Sequence, residues 1–120
     1  MIQKGTKLVV ADNTGAKKAA CIGILGSGSS TAKIGDRIKV VIKKVLPNGD
    51  MGRIMSVAVV VRTKKELRRS GGDYIRFSDN AVVLVNDNNE MRGTSISGPV
   101  AKELAVKGYN KIISLAKEVL

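Results

Sequence analysis

From Lys7 to about Val85 the chain runs in short β-branched stretches separated by clusters of turn-forming residues. That pattern predicts an antiparallel barrel or sandwich of five or six strands. The separators are Asp12-Asn13-Thr14-Gly15, Gly26-Ser27-Gly28-Ser29-Ser30, Pro47-Asn48-Gly49-Asp50, Ser70-Gly71-Gly72-Asp73 and Asn86-Asp87-Asn88-Asn89. Their residues accept positive φ or bond their own backbone. Between Arg37 and Lys43 the apolar Ile38, Val40 and Ile42 alternate with Arg37, Lys39 and Lys43, which predicts a half-buried strand with a basic outer face. Val57-Ala58-Val59-Val60-Val61 is apolar on both faces. It is expected to be central, with another element packed over its outer side.

The hydrophobic period lengthens after Gly98. Gly98-Pro99 reads as a helix start with Pro at the first helical position, Val100 and Leu104 fall one turn apart, and Gly108 is a stop. A second short helix is predicted after Asn110, with Ile112, Leu115, Ala116 and Val119 on its apolar stripe. The expected molecule is a single domain over 1–120, a mainly β barrel over about 1–97 followed by a helical segment over about 98–120 that covers the Val57 to Val61 strand.

Charge narrows the choice of partner. Lys and Arg outnumber Asp and Glu by 21 to 10, giving a formal +11 and a pI near 10.1, so a polyanion is the expected partner. The cations sit on strand-like and turn-like segments and not on an amphipathic helix with bulky apolar anchors, which favours nucleic acid over a membrane surface. No stretch approaches the ~20 apolar residues that span a bilayer, and Met1-Ile2-Gln3-Lys4-Gly5 has no apolar run behind its charge, so a soluble, non-exported protein is expected. Tyr74, Phe77 and Tyr109 are the whole aromatic complement, too few for a platform of stacked bases.

Catalytic and metal chemistry find little support. With a single cysteine and no histidine, neither an intrachain disulfide nor a Cys/His zinc site can form. Cys21, set in Ala19-Ala20-Cys21-Ile22, reads as a buried, inert thiol. The carboxylates stand mostly in turns at no recognisable ligand spacing. Gly26-Ser27-Gly28 lacks both the third glycine of a dinucleotide fingerprint and the ending of a P-loop. Neither a cofactor nor an enzymatic activity is expected. The run Arg62-Thr63-Lys64-Lys65-Glu66-Leu67-Arg68-Arg69 follows the most apolar strand and is expected as a charged loop for phosphate. Lys4, Lys7, Lys17, Lys18, Arg53 and Arg92 add to its field. The candidate RNA contacts are Lys64, Lys65, Arg68, Arg69, Arg37, Lys39, Lys43, Lys17 and Lys18. A free-standing basic barrel acting as an RNA chaperone or single-strand binder is the alternative, and it would need stacking aromatics.

Several ordered blocks together carry a specific resemblance. Val59-Val60-Val61-Arg62-Thr63-Lys64-Lys65, Arg68-Arg69, Tyr74-Ile75-Arg76-Phe77-Ser78-Asp79-Asn80-Ala81 and Gly98-Pro99-Val100-Ala101 resemble the universal large-subunit ribosomal protein fourteen family. Val10-Ala11-Asp12-Asn13-Thr14-Gly15-Ala16-Lys17, Ile34-Gly35-Asp36 and the closing Ile113 to Leu120 extend the match almost end to end. The resemblance implies a closed five-stranded antiparallel β-barrel with a projecting hairpin and two short C-terminal helices. It also implies a structural constituent of the cytoplasmic or organellar ribosome that binds large-subunit rRNA and faces the small subunit. Further implied partners are a neighbouring large-subunit protein, small-subunit rRNA at an intersubunit bridge and, in bacteria, a ribosomal silencing factor. The chain departs from the bacterial pattern at Ser27-Gly28-Ser29-Ser30-Thr31 and at Ser95 and Ser97, where basic and aromatic residues are common in that family.

Overall fold

A computed structural model describes residues 2–25, 30–45, 55–86 and 88–120, with the side chains of residues 44 and 45 left aside. In chain order the elements are β1 (Lys7–Val10), β2 (Ala16–Ile24), β3 (Arg37–Val45), β4 (Met55–Arg62), β5 (Leu67–Arg68), β6 (Tyr74–Ile75), β7 (Ala81–Val85), β8 (Pro99–Val100), α1 (Glu103–Val106), α2 (Asn110–Leu115) and β9 (Glu118–Val119). The expected closed five-stranded barrel is present, in the order β1-β2-β3-β4-β7. Its closure is parallel, with Val9 beside Ala81 and Val10 beside Val82, while the other four pairs are antiparallel. An up-and-down circuit with an odd number of strands must contain one parallel seam.

The alternation expected for β3 holds. Ile38, Val40 and Ile42 are buried, while Lys39 and Lys43 are exposed and Arg37 is half-buried. With Leu8, Val10, Ala19, Cys21, Ala58, Val60, Val82 and Leu84 they belong to one core. The small side chains at 19, 21 and 58 suit the narrow interior of a five-stranded barrel. Cys21 is 1% exposed. Its Sγ lies 3.6 Å from the Gly23 carbonyl.

β4 and β7 are buried on both faces from Ala58 to Val61 and from Ala81 to Val85. The C-terminal segment covers the outer side of β4, as its apolar pattern requires. The Ala101 N–H donates to the Val61 carbonyl at 3.3 Å, and Val100, Ala101 and Leu104 are fully buried. Burying Leu104 alone contributes ~2 kcal/mol. The cover stops short of Val57, which stays half-buried.

The termini of the helical segment correct the sequence reading in two places. Pro99 does not open a helix: Pro99–Val100 pair in parallel with Glu118–Val119, and α1 starts at Glu103. The Pro99 carbonyl is held by the Arg62 guanidinium at 3.0 Å and the Val100 carbonyl accepts from the Leu120 N–H at 2.9 Å, so tertiary bonds extend a stretch that local pattern reads as helical. Likewise α2 begins at Asn110, with Tyr109 at the N-cap position and no side-chain cap bond, and ends at Leu115, leaving Val119 in a strand and not on a helical stripe. Gly108 does end the α1 turn, at φ +93°.

Candidate nucleic-acid interface

The first group of expected contacts lies on the outer face of β2 and β3. The register shift between Ala16 and Lys18 marks a bulge in β2, and the one between Lys18 and Ala19 places its extra residue in β3; both Lys17 and Lys18 are exposed. Strict alternation would have sent one of them into the barrel, and the extra residue of a bulge removes that conflict. Lys4, Lys7, Lys18 and Lys43 rim a groove of about 900 Å³ floored by Ala20, Ile22 and Val41. Among the described residues no carboxylate lines it. Lys39 stands further along β3, in a second hollow that it shares with Arg92 and Ser56. On the outer face of β3, Lys39 and Lys43 stand four residues apart, roughly 13 Å, with Val41 between them, so the face offers spaced ammonium groups.

The second group sits on the insertion between β4 and β7. It was expected as a charged loop, but Leu67–Arg68 and Tyr74–Ile75 pair into a two-stranded ribbon. Its turn is closed by Gly72 at φ +89°, whose N–H donates to the Arg69 carbonyl at 2.9 Å. Only glycine adopts that backbone conformation without strain. Lys64, Lys65 and Arg68 are exposed on this ribbon and its approach. The Lys65 ammonium is 3.9 Å from the Glu66 carboxylate, an exposed pair of little energetic weight. Arg76, absent from the sequence-based candidates, is exposed beside Tyr74. The Gly71-Gly72 turn could have disclosed it, since Arg76 is placed on the returning strand as Glu66 is on the outgoing one.

Three arginines of the basic set are engaged or enclosed. Arg69 forms a forked pair with Glu103, Nε to Oε2 at 2.7 Å and Nη2 to Oε1 at 3.0 Å, and also donates to the Leu120 carbonyl. It ties the ribbon to α1 and the end of the chain. Arg62 is withdrawn further, its side chain 8% exposed. It donates to both Asp79 carboxylate oxygens at 2.9 and 3.3 Å and to the carbonyls of Ser97 and Pro99. A bulge between Val60 and Arg62 turns it out of the strand alternation toward these partners. Arg37 is half-buried at the head of β3 near Tyr109, and its Nε has no hydrogen-bond partner among the described residues. Burial raises the Tyr109 phenol above its ordinary pKa, and Arg37 opposes that rise.

Arg53 and the Ser27-Gly28-Ser29 part of the Gly/Ser stretch lie outside the described residues. Among the described residues no group of three or more Cys, Asp and Glu side chains converges as a metal site would require, and no helix is long and apolar enough to cross a membrane.

Among the described residues, a small closed barrel with exposed lysines on its sheet face and a cationic ribbon defines a class of protein: a basic β-barrel. The family model described as Ribosomal protein L14p/L23e matches residues 1–120. The chain belongs to that family of large-subunit ribosomal structural proteins.

Proposed function

We propose that this chain binds large-subunit rRNA through phosphate contacts made by Lys17, Lys18, Lys39 and Lys43 on the barrel face and by Lys64, Lys65 and Arg68 on the ribbon. The observation that carries the reading is the lysine-rimmed groove on β1, β2 and β3, which has no acidic side chain among the described residues of its lining. Ammonium groups spaced on a rigid sheet neutralise a phosphate backbone without reading sequence. Arg69 and Arg37 remain in the proposed set with altered roles: Arg69 reaches RNA only at the expense of its Glu103 pair, and Arg37 offers whatever part of its guanidinium is not enclosed. By family resemblance the reading extends to a surface facing the small subunit, a neighbouring large-subunit protein, an intersubunit bridge and a silencing factor.

The test is salt-dependent binding of the whole chain to purified large-subunit rRNA. Each phosphate contact contributes roughly 0.7 to 0.9 to the log-log salt slope. Replacing Lys17, Lys18, Lys39 and Lys43 together by Ala is therefore expected to lower the slope by about three, with the fold retained because all four are exposed. An unchanged slope and affinity would remove the barrel face from the interface.

A further inference from the structure

Directly opposed residues of an antiparallel pair share a face. The ribbon register sets Leu67 opposite Ile75 and Arg68 opposite Tyr74. Leu67 and Ile75 are partly buried against the core, so theirs is the inner face. Glu66, Arg68, Tyr74 and Arg76, all exposed, form the outer one. Tyr74 is 65% exposed, whereas Phe77 is 9% exposed and Tyr109 packs against the core. Beside the Tyr74 ring lies a shallow hollow of about 440 Å³ lined by Glu66, Tyr74, Ile75 and Arg76.

Two features of this face are wasteful for a phosphate site. An exposed aromatic ring gives up the burial that normally stabilises it, and a carboxylate repels phosphate. Both suit a base. An unpaired nucleobase stacks on an aromatic ring and offers its Watson–Crick edge for hydrogen bonds. A carboxylate has two acceptor oxygens, which match the adjacent N1–H and N2–H donors of guanine. Adenine and uracil each present a single donor group on that edge.

We propose that the outer face of the β5–β6 ribbon is a nucleobase site that takes one unpaired guanine of the bound RNA. The base stacks on Tyr74, its donor edge meets Glu66, and Arg68 and Arg76 hold the flanking phosphates. The inference rests on the RNA-binding reading above and adds a base-reading element to an otherwise sequence-blind surface.

The experiment uses the full chain with Tyr109→Phe, which leaves Tyr74 the sole tyrosine of a protein without Trp. Three RNA hairpins serve as probes: one fully paired, one with a single guanine bulge and one with an adenine bulge. Quenching of Tyr74 emission by the guanine-bulged hairpin and not by the paired one is expected, with tighter binding of the former. Tyr74→Ala is expected to weaken the bulged complex about tenfold or more while leaving the paired complex and the salt slope unchanged. Tyr74→Phe keeps most of the affinity, and Glu66→Gln erases the preference for guanine over adenine. Arg68→Ala lowers the slope by roughly 0.7 to 0.9. Equal binding of bulged and paired RNA, or a Tyr74→Ala variant that loses nothing, overturns the inference while the salt-dependent phosphate reading stands. If no hairpin binds at low salt, the RNA reading itself falls, and the base site with it.

Discussion

Arg62→Met tests whether the buried guanidinium is a staple of the fold and not part of the interface. The substitution keeps an apolar stem of similar length but removes every donor. It leaves the Asp79 carboxylate without its ion pair and two carbonyls, of Ser97 and Pro99, without the Arg62 N–H. Breaking a buried pair by deleting one partner costs ~3–5 kcal/mol. Asp79 is about one-third exposed and can be rehydrated, which brings the ion-pair share toward the lower end. Adding the unpaired carbonyls gives a net loss of about 4 kcal/mol. For a domain of this size that corresponds to a fall in Tm of about 15 °C. Thermal and urea unfolding followed by circular dichroism would measure it, with Lys65→Ala, an exposed neighbour, as a control expected to change stability by under ~0.5 kcal/mol. If Arg62→Met melts within a degree or two of wild type while its unfolding remains cooperative, the guanidinium is not what joins β4 to the 97–99 segment.

Gly98→Ala is expected to destabilise as well, because Gly98 holds φ +79° and a Cβ there would run into the Arg62 Nη1; the loss should shrink in an Arg62→Met background, which a double-mutant cycle in urea would show. Cys21 should resist polar alkylating reagents in the native state and react on unfolding. Burial raises its thiol pKa, so the unfolded chain ionises first as pH rises. The stability associated with the neutral thiol is therefore complete below the unfolded-state pKa and declines as pH climbs through the native one, a decline that Cys21→Ala should lessen in alkaline melting curves. Leu104→Ala removes a fully buried side chain from the cover over β4 and should cost ~2–5 kcal/mol by chemical denaturation.

The barrel was legible where a residue's environment follows from its immediate neighbours. Ile38, Val40 and Ile42 announce a half-buried strand, and the two-sided apolarity of Val57 to Val61 announces that something must lie over it. Pro99 misled because its local signal, Pro after Gly ahead of a helical spacing, is genuine, yet its carbonyl is held by a side chain 37 residues away in sequence. Arg69 lies 34 residues from Glu103, so the pair could not be read from any local window. The exposure of both Lys17 and Lys18 depends on a bulge, which alternation alone does not encode.

The division of labour among the cations has a physical basis. The two basic side chains most firmly committed to structure, Arg62 and Arg69, are both arginines with forked contacts to a carboxylate, and each also donates to at least one backbone carbonyl. A guanidinium is planar, weakly hydrated and carries donors in fixed directions, so it can enter a partly buried site and satisfy several acceptors at once. An ammonium is compact and strongly hydrated, and the lysines of β2 and β3 accordingly keep their charge at the rim of the groove while Ala20, Ile22 and Val41 form its floor. Total charge therefore overstates what the isolated fold leaves free for a polyanion. An arginine beside the end of an apolar strand is first a candidate for holding the chain together, while a lysine on the outer face of a half-buried strand has no such alternative employment. Exchanging Lys18 or Lys43 for Arg should thus preserve RNA binding, whereas exchanging Arg62 for Lys should sacrifice stability, because one ammonium cannot reproduce the fork on Asp79 and reach both carbonyls.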